Sequence, residues 1–281
     1  MENKKNFVWI ASYPKSGNTW VRMFLAHYIN DAQHADFNLL NNIPIASSRN
    51  ILDEYAGVNT SDLTPREIEE LRPRVYEKIS SSSKNNQLIY FKIHDAYHFT
   101  NDNLPIVPGK ITKGVIYIIR NPLDIVISFA EHMGKTIDNT IELMSKNLKL
   151  SSFSHKLGTQ ISQQLMSWSL HVKSWVDLAN LPVKIFRYED LLDSPGKSFK
   201  EIIHFLDIPF EKNSFELTLV NCKFKNLHEK EKKEGFKEKI SHTKQFFNRG
   251  TSGNWKNILT KDQVEKIKKD HHEIMKRFGY L

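Results

Sequence analysis

The stretch Phe7-Val8-Trp9-Ile10-Ala11-Ser12-Tyr13-Pro14-Lys15-Ser16-Gly17-Asn18-Thr19-Trp20 decides the fold. Residues 7–11 are an unbroken apolar run of the β-branched and aromatic kind that a buried strand carries. Pro14 and Gly17 punctuate a turn. Beyond it, Trp20, Val21, Met23, Phe24, Leu25, Tyr28 and Ile29 follow a helical pattern. A strand, a tight turn and a helix, with Lys, Ser, Gly and Thr at the turn, form a phosphate cradle. N–H groups at the helix start point at one anion, and the helix dipole favours negative charge there. This is not the loop of nucleoside triphosphatases, which places Gly-Lys-Ser/Thr at its end. Here Lys15 precedes Gly17, the only glycine of the stretch.

Two further stretches belong with it. Residues 115–119 are a β-branched run stopped by Asn121-Pro122, and a helix starts over 124–129. Arg120 therefore stands at a strand end, with Ser128 eight residues on. Arginine suits phosphate because its planar fork places two charge-assisted bonds on phosphate oxygens. The same residues also fit a surface arginine beside a helix-capping Asp124. Toward the C-terminus, Phe247-Asn248-Arg249-Gly250-Thr251-Ser252-Gly253-Asn254-Trp255-Lys256-Asn257 is a glycine-punctuated loop.

In this order, the three segments resemble those of sulfotransferases that use 3′-phosphoadenosine 5′-phosphosulfate (PAPS). Tyr13 to Trp20 resembles the family's 5′-phosphosulfate loop, Tyr-Pro-Lys-Ser-Gly-Thr-Thr-Trp, and departs from it only at Asn18. Arg120 and Ser128 keep the spacing of the family's 3′-phosphate site. The third segment resembles Arg-Lys-Gly-x-x-Gly-Asp-Trp-Lys-Asn, with Asn248 in place of the arginine and Asn254 in place of the aspartate. One cation fewer bears on cofactor affinity more than on cofactor identity. The resemblance runs from residue 7 to about residue 260, and the chain is identified as a cytosolic-type, bacterial-like member.

The resemblance implies in-line transfer of a sulfuryl group from PAPS to a small-molecule alcohol or phenol, leaving 3′-phosphoadenosine 5′-phosphate (PAP). A sulfuryl group bears one negative charge where a terminal phosphoryl bears nearly two. Lysines and backbone amides can then supply what phosphoryl transfer delegates to Mg²⁺, so no metal is expected. Lys15 is the implied acid or electrostatic stabiliser on the bridging oxygen, restrained by Ser128 until acceptor binds. Ser16, Gly17, Asn18 and Thr19 would hold the 5′-phosphate, the Asn18 amide donating where threonine ordinarily would. Arg120, Ser128, Asn248, Arg249 and Gly250 would hold the 3′-phosphate. Trp20 and Phe224 would flank adenine and Tyr188 would hydrogen-bond it, although Trp20 and Tyr188 also fit core positions. The match at Phe224 is looser, since Cys222 and Lys223 replace the family's Thr-Ser pair.

The base falls on His94, which closes Tyr90-Phe91-Lys92-Ile93-His94 at the end of a strand over 87–93. Histidine accepts a proton near neutral pH. Among twelve histidines, this one follows a strand at the edge where the other loops converge; His98 is its nearest rival. Lys92 alternates with His94 on one strand face, so both can address one reacting group. The stretch resembles the family's Lys-Thr-His, with Ile93 for the threonine, which makes Lys92 the stabiliser of the transferring sulfuryl. Tyr97, Phe99, Phe129, His132 and Met133 are candidates for an acceptor wall, or for core.

Strands over 7–11, 87–93, 115–119 and 183–187 alternate with helical patterns over 19–30, 64–80, 122–133, 158–180, 196–206 and 261–277. That order predicts an α/β fold, a central parallel sheet flanked by helices, with ligands beyond the strands' carboxyl ends. Residues 34–62 read as an irregular excursion near the acceptor. At 281 residues the chain reads as one domain, 1–281, with a lysine-rich lid over about 222–250. From Lys223 to Arg249, nine Lys/Arg face four Glu, which suits steering of an anionic cofactor or a plain solvated face. No alternation of aromatics with cations speaks for nucleic acid.

Cys222 is the single cysteine, which excludes an intrachain disulfide and a cysteine zinc cluster. No apolar run reaches the roughly 18–20 residues of a membrane span, and no signal peptide precedes the first strand; a cytoplasmic protein is expected. Adjacent His271 and His272 project in different directions on a helix and read as a solvated face. Residues 256–265 partly resemble the family's dimerisation motif, with Lys261 for its valine, so a homodimer is a further expectation. The competing readings are a nucleotide kinase with a variant loop, or a PAPS- or PAP-binding protein without transfer activity.

Overall fold

The computed structural model describes residues 5–83, 87–151, 158–239, 245–247 and 250–281. Among them the strands are β1 (Phe7–Ser12), β2 (Ile89–Ile93), β3 (Thr112–Ile119), β4 (Lys149–Leu150), β5 (Gln163–Gln164) and β6 (Val183–Arg187). The helices are α1 (Asn18–Ile29), α2 (Arg49–Ala56), α3 (Pro65–Ser82), α4 (Pro122–Met133), α5 (Ile137–Ser145), α6 (Trp168–Lys173), α7 (Tyr188–Asp193), α8 (Pro195–Phe205), α9 (Lys212–Asn221), α10 (Phe224–Glu234) and α11 (Lys261–Arg277).

The four strands anticipated from sequence form one parallel sheet in the order β2-β1-β3-β6. Strand periodicity splits their side chains between two apolar layers. Phe7, Trp9 and Ala11 join Phe91, Val115 and Tyr117 on one face, under α3, α4, α6 and α11. Val8 and Ile10 join Tyr90, Ile116 and Phe186 on the other, under α1 and α8. With both faces covered, β1 is buried throughout and reads as a continuous hydrophobic run rather than an alternating one. Chain order reverses across β1 and β3, and the crevice beyond their carboxyl ends is where such a sheet admits ligand.

Helix starts follow local capping chemistry. Asn121 Oδ1 accepts the Leu123 N–H at 3.0 Å and Pro122 occupies the first turn of α4. Thr64 with Glu67, and Thr260 with Gln263, form capping boxes that start α3 and α11.

Three expectations need correction. The helix anticipated over 158–180 begins only at Trp168, because Ser167 Oγ caps it through Leu170 N. Its upstream part is extended and includes β5. The 34–62 excursion contains α2, ended by left-handed Gly57. His271 is not a solvated residue: it is 3% exposed, sits at a kink in α11, and bonds Ser169 Oγ at 2.9 Å.

The loop after β2 is anchored by a buried ion pair. Arg72 of α3 clasps Asp95 through two bonds of 3.0 and 2.7 Å. Asp95 also accepts the Gln164 N–H, and its carbonyl accepts the Trp175 indole N–H. Removing one partner of such a pair strands a buried charge. Asp95→Ala is therefore expected to lower unfolding free energy by about 3–5 kcal/mol in urea titrations; a loss near zero would contradict the anchoring role.

Candidate active site

The turn after β1 is held in a conformation that few side chains adopt. Lys15 has φ 67° and Gly17 φ 99°, the second being open at no cost only to glycine. Space demands it too, because a Cβ on Gly17 would lie 2.5 Å from the Tyr188 ring. Gly17 precedes α1 without a side-chain cap; Trp20 N–H bonds Gly17 O at 3.0 Å, and the N–H groups of Asn18 and Thr19 at the helix start are of the kind an anion can take. The Asn18 side chain turns inward: its amide N–H groups go to Ile10 O at 2.8 Å and Ser12 Oγ at 3.2 Å. Both of its donors are thus spent, and the side-chain bond to phosphate expected from sequence falls back on the backbone N–H. Ser16 is buried beneath the turn.

Arg120, at the end of β3, ties three segments together. Nη1 donates to Lys15 O at 2.9 Å and Nη2 to Thr251 O at 3.2 Å. The guanidinium lies 4.3 Å from the Tyr188 ring centroid, within cation–π range. Its Nε–H is buried and has no partner among the described residues. A guanidinium donor without a partner beside a phosphate-type turn is free to bond an anion.

The third loop is secured by a residue whose part in the site was missed from sequence. Asp124 Oδ2 accepts Gly253 N at 2.7 Å and Oδ1 accepts Trp255 N at 3.2 Å. A Cβ on Gly250, at φ 57°, would sit 2.3 Å from the Phe224 ring, so this glycine is set by close approach. Asn248 and Arg249 lie outside the described residues. Trp20 serves as both core and wall: its indole N–H bonds Cys222 O at 2.9 Å, and its ring meets Phe199 edge-on.

His94 has a fixed tautomer. Nδ1 lies 2.8 Å from the Ser12 carbonyl, which only accepts, so Nδ1 carries the proton and Nε2 holds the free lone pair. Burial first, then Lys92, hold its pKa well below the ordinary value, which keeps the ring neutral. Behind it, His171 Nε2 donates to the His94 carbonyl at 3.0 Å and His171 Nδ1 takes the Tyr117 hydroxyl at 2.9 Å.

Two lysines share the cavity. Burial, then Lys92 and Arg120, lower Lys15 to about 8. Burial likewise lowers Lys92 to about 8, against an opposing carboxylate on Glu238 at 3.5 Å. The Lys15 ammonium lies 4.6 Å from the Phe246 ring centroid.

These groups line one cavity of about 1280 Å³ that includes Lys15, Lys92, His94, Arg120, Ser128 and Phe224. Thr19, Trp20, Tyr188 and Gly250 line it as well, along with Phe129, His132 and Met133. Tyr97 and Phe99 do not belong to this wall: Tyr97 is buried against Trp175, and Phe99 is exposed. His98 pairs with Glu69 at 2.8 Å, outside the cavity.

A family profile described as the sulfotransferase domain matches residues 5–279. The chain belongs to the sulfotransferase family. It is similar to flavonol 3-sulfotransferase of Flaveria bidentis, 25% identical over 94% of this chain and 80% of that one. Cytosolic sulfotransferase 10 of Arabidopsis thaliana is 25% identical over 96% of this chain and 78% of its own. In fold it resembles a retinol dehydratase solved with androsterone and PAP, at TM-score 0.64, 16% identity and coverage of 97% and 81%. A mouse sulfotransferase solved with PAP gives TM-score 0.59 at 19% identity, covering 96% and 84%. No helix of the described residues is long and apolar enough to cross a membrane.

In this sulfotransferase, Asp124 carries the third loop onto the start of α4. Asp124→Ala removes the acceptor of two N–H groups, a change worth about 1–3 kcal/mol. Faster hydrogen exchange at the Gly253 and Trp255 amides is the expected readout; unchanged protection would contradict the assignment.

Proposed function

We propose that the protein transfers the sulfuryl group of PAPS to the hydroxyl of a small-molecule alcohol or phenol, with His94 as general base. The observation that carries this reading is the His94 ring. It is neutral, its Nδ1–H is committed to Ser12 O, and it lines the cavity that Lys15, Lys92 and Arg120 also line. Its Nε2 takes the hydroxyl proton as the acceptor oxygen bonds to sulfur and the sulfur–oxygen bond to the 5′-phosphate breaks. Lys92 neutralises the transferring group, Lys15 the bridging oxygen, and Ser128 restrains Lys15.

The nucleotide sites fit the donor. The uncapped start of α1 and the turn of Ser16, Gly17, Asn18 and Thr19 suit the 5′-phosphate, with Asn18 acting through its backbone. The orphaned Arg120 Nε–H, together with Ser128, Gly250 and the flanking Asn248 and Arg249, suits the 3′-phosphate. Trp20, Tyr188 and Phe224 offer flat faces for adenine. The lysine-rich segment 222–250 acts as a lid that steers the anion, and its Phe224, Leu227 and Phe246 form one wall. The chain works as a single 1–281 domain in the cytoplasm without metal or nucleic acid; the name of one relative, a cytosolic sulfotransferase, supports that location. Pairing through 256–265 makes a homodimer.

His94→Ala is expected to lower kcat by about 10²–10⁴-fold, the range for loss of a positioned base. PAP affinity, read by calorimetry, stays close to that of the parent. Undiminished transfer by the variant would remove His94 from the role of base.

A further inference from the structure

Between α5 and α6, β4 and β5 form a short antiparallel ribbon with Leu150 opposite Gln163 and Lys149 opposite Gln164. Residues opposite one another share a face, and neighbours along a strand point apart. The two faces meet different surroundings. Leu150 and Gln163 line the cavity of Lys92 and His94, whereas Lys149 and Gln164 line a smaller one beside Arg72 and Asp95. The ribbon is also tied to the loop that follows the base. Gln164 N–H donates to Asp95 Oδ1 at 2.9 Å, and Ala96 N–H donates to Gln164 O at 2.7 Å. Gln163 therefore faces the cavity from a fixed backbone.

One end of its side-chain amide is committed. Gln160 Oε1 accepts the Ser47 hydroxyl at 2.9 Å and Gln163 Nε2–H at 3.3 Å. An amide oxygen only accepts, so the nitrogen of Gln163 is the end turned to Gln160. The other end, Oε1, is buried without a partner among the described residues, on a side chain belonging to a residue 7% exposed. A buried amide oxygen left unpaired is costly. Phe129, Met133, Leu150 and Ile161 line the same cavity, and their side chains carry no donor. The missing donor therefore comes with the molecule that fills this part of the cavity. The phosphate-type elements follow β1 and β3, whereas the ribbon is tied behind β2, the edge strand that carries the base. That places Gln163 on the acceptor's side rather than the nucleotide's.

We infer that Gln163 Oε1 accepts a hydrogen bond from the acceptor, so that the protein selects compounds with a second hydroxyl besides the one that receives the sulfuryl group. This rests on the sulfotransferase reading above, and the test separates the two. Transfer from PAPS is compared for catechol, resorcinol and hydroquinone, each against its monomethyl ether, which keeps one hydroxyl and loses the second donor. In the parent protein at least one diol is expected to exceed its ether by about tenfold or more in kcat/KM. In Gln163→Met, similar in length but without the amide oxygen, that ratio falls to within about threefold, while PAP still binds in calorimetry. A ratio unchanged in the variant would overturn the inference, and so would a parent protein that prefers no diol, a result read without any variant. Where PAP binds but no phenol is transferred, binding of the same pairs in the presence of PAP gives the ratio and is decided the same way; no binding of any diol also overturns the inference. Failure of the parent protein to bind PAP would instead remove the reading on which the inference stands.

Discussion

The site depends on one guanidinium. Arg120 sits where β3 ends beside β1, and its two terminal nitrogens hold Lys15 O and Thr251 O, while its face lies on Tyr188. Four segments distant in sequence therefore meet at a single planar group. Parallel pairing of β1 with β3 makes this geometry available, because both strands deliver their following loops to the same edge. The remaining Nε–H has no partner among the described residues. The same side chain that assembles the loops thus has a donor free for the 3′-phosphate under the proposed reading.

Assembly of this kind places like charges together. Burial, then Lys92 and Arg120, lower the proton affinity of Lys15, and burial with Arg22 lowers that of Lys92. A cluster of like charges is relieved by an anion, which under the proposed reading stabilises charge that develops during transfer. The fold tempers the repulsion in the free protein with Glu238 against Lys92 and the Phe246 ring over Lys15. His94 is treated differently: it is kept neutral and its tautomer is fixed by a backbone carbonyl rather than by a second titrating group.

Much of this was legible in the sequence. The apolar runs marked the four sheet strands, and the helical patterns over 122–133 and 261–277 coincide with α4 and α11, because periodicity is a local signal. Lys15, Lys92, His94 and Arg120 were legible because each follows or ends a strand whose carboxyl edge is the ligand edge. What stayed hidden was every contact that needs the tertiary fold. Asp124 reaches Gly253 across 129 residues and Glu238 reaches Lys92 across 146, and neither separation leaves a periodic trace. The inward turn of Asn18 was hidden for another reason. A short amide at a helix start usually serves its own first turn, but here the Ile10 carbonyl and Ser12 hydroxyl lie closer to hand.

Titration calorimetry of PAP against ADP and AMP, without added metal, tests the account most directly. The orphaned donor on Arg120 and the loop held by Asp124 predict that PAP binds more tightly than ADP by about tenfold or more, the worth of charge-assisted bonds to an added phosphate. ADP binding as well as PAP, or better, would contradict a 3′-phosphate site at Arg120 and with it the assignment of PAPS as sulfuryl donor.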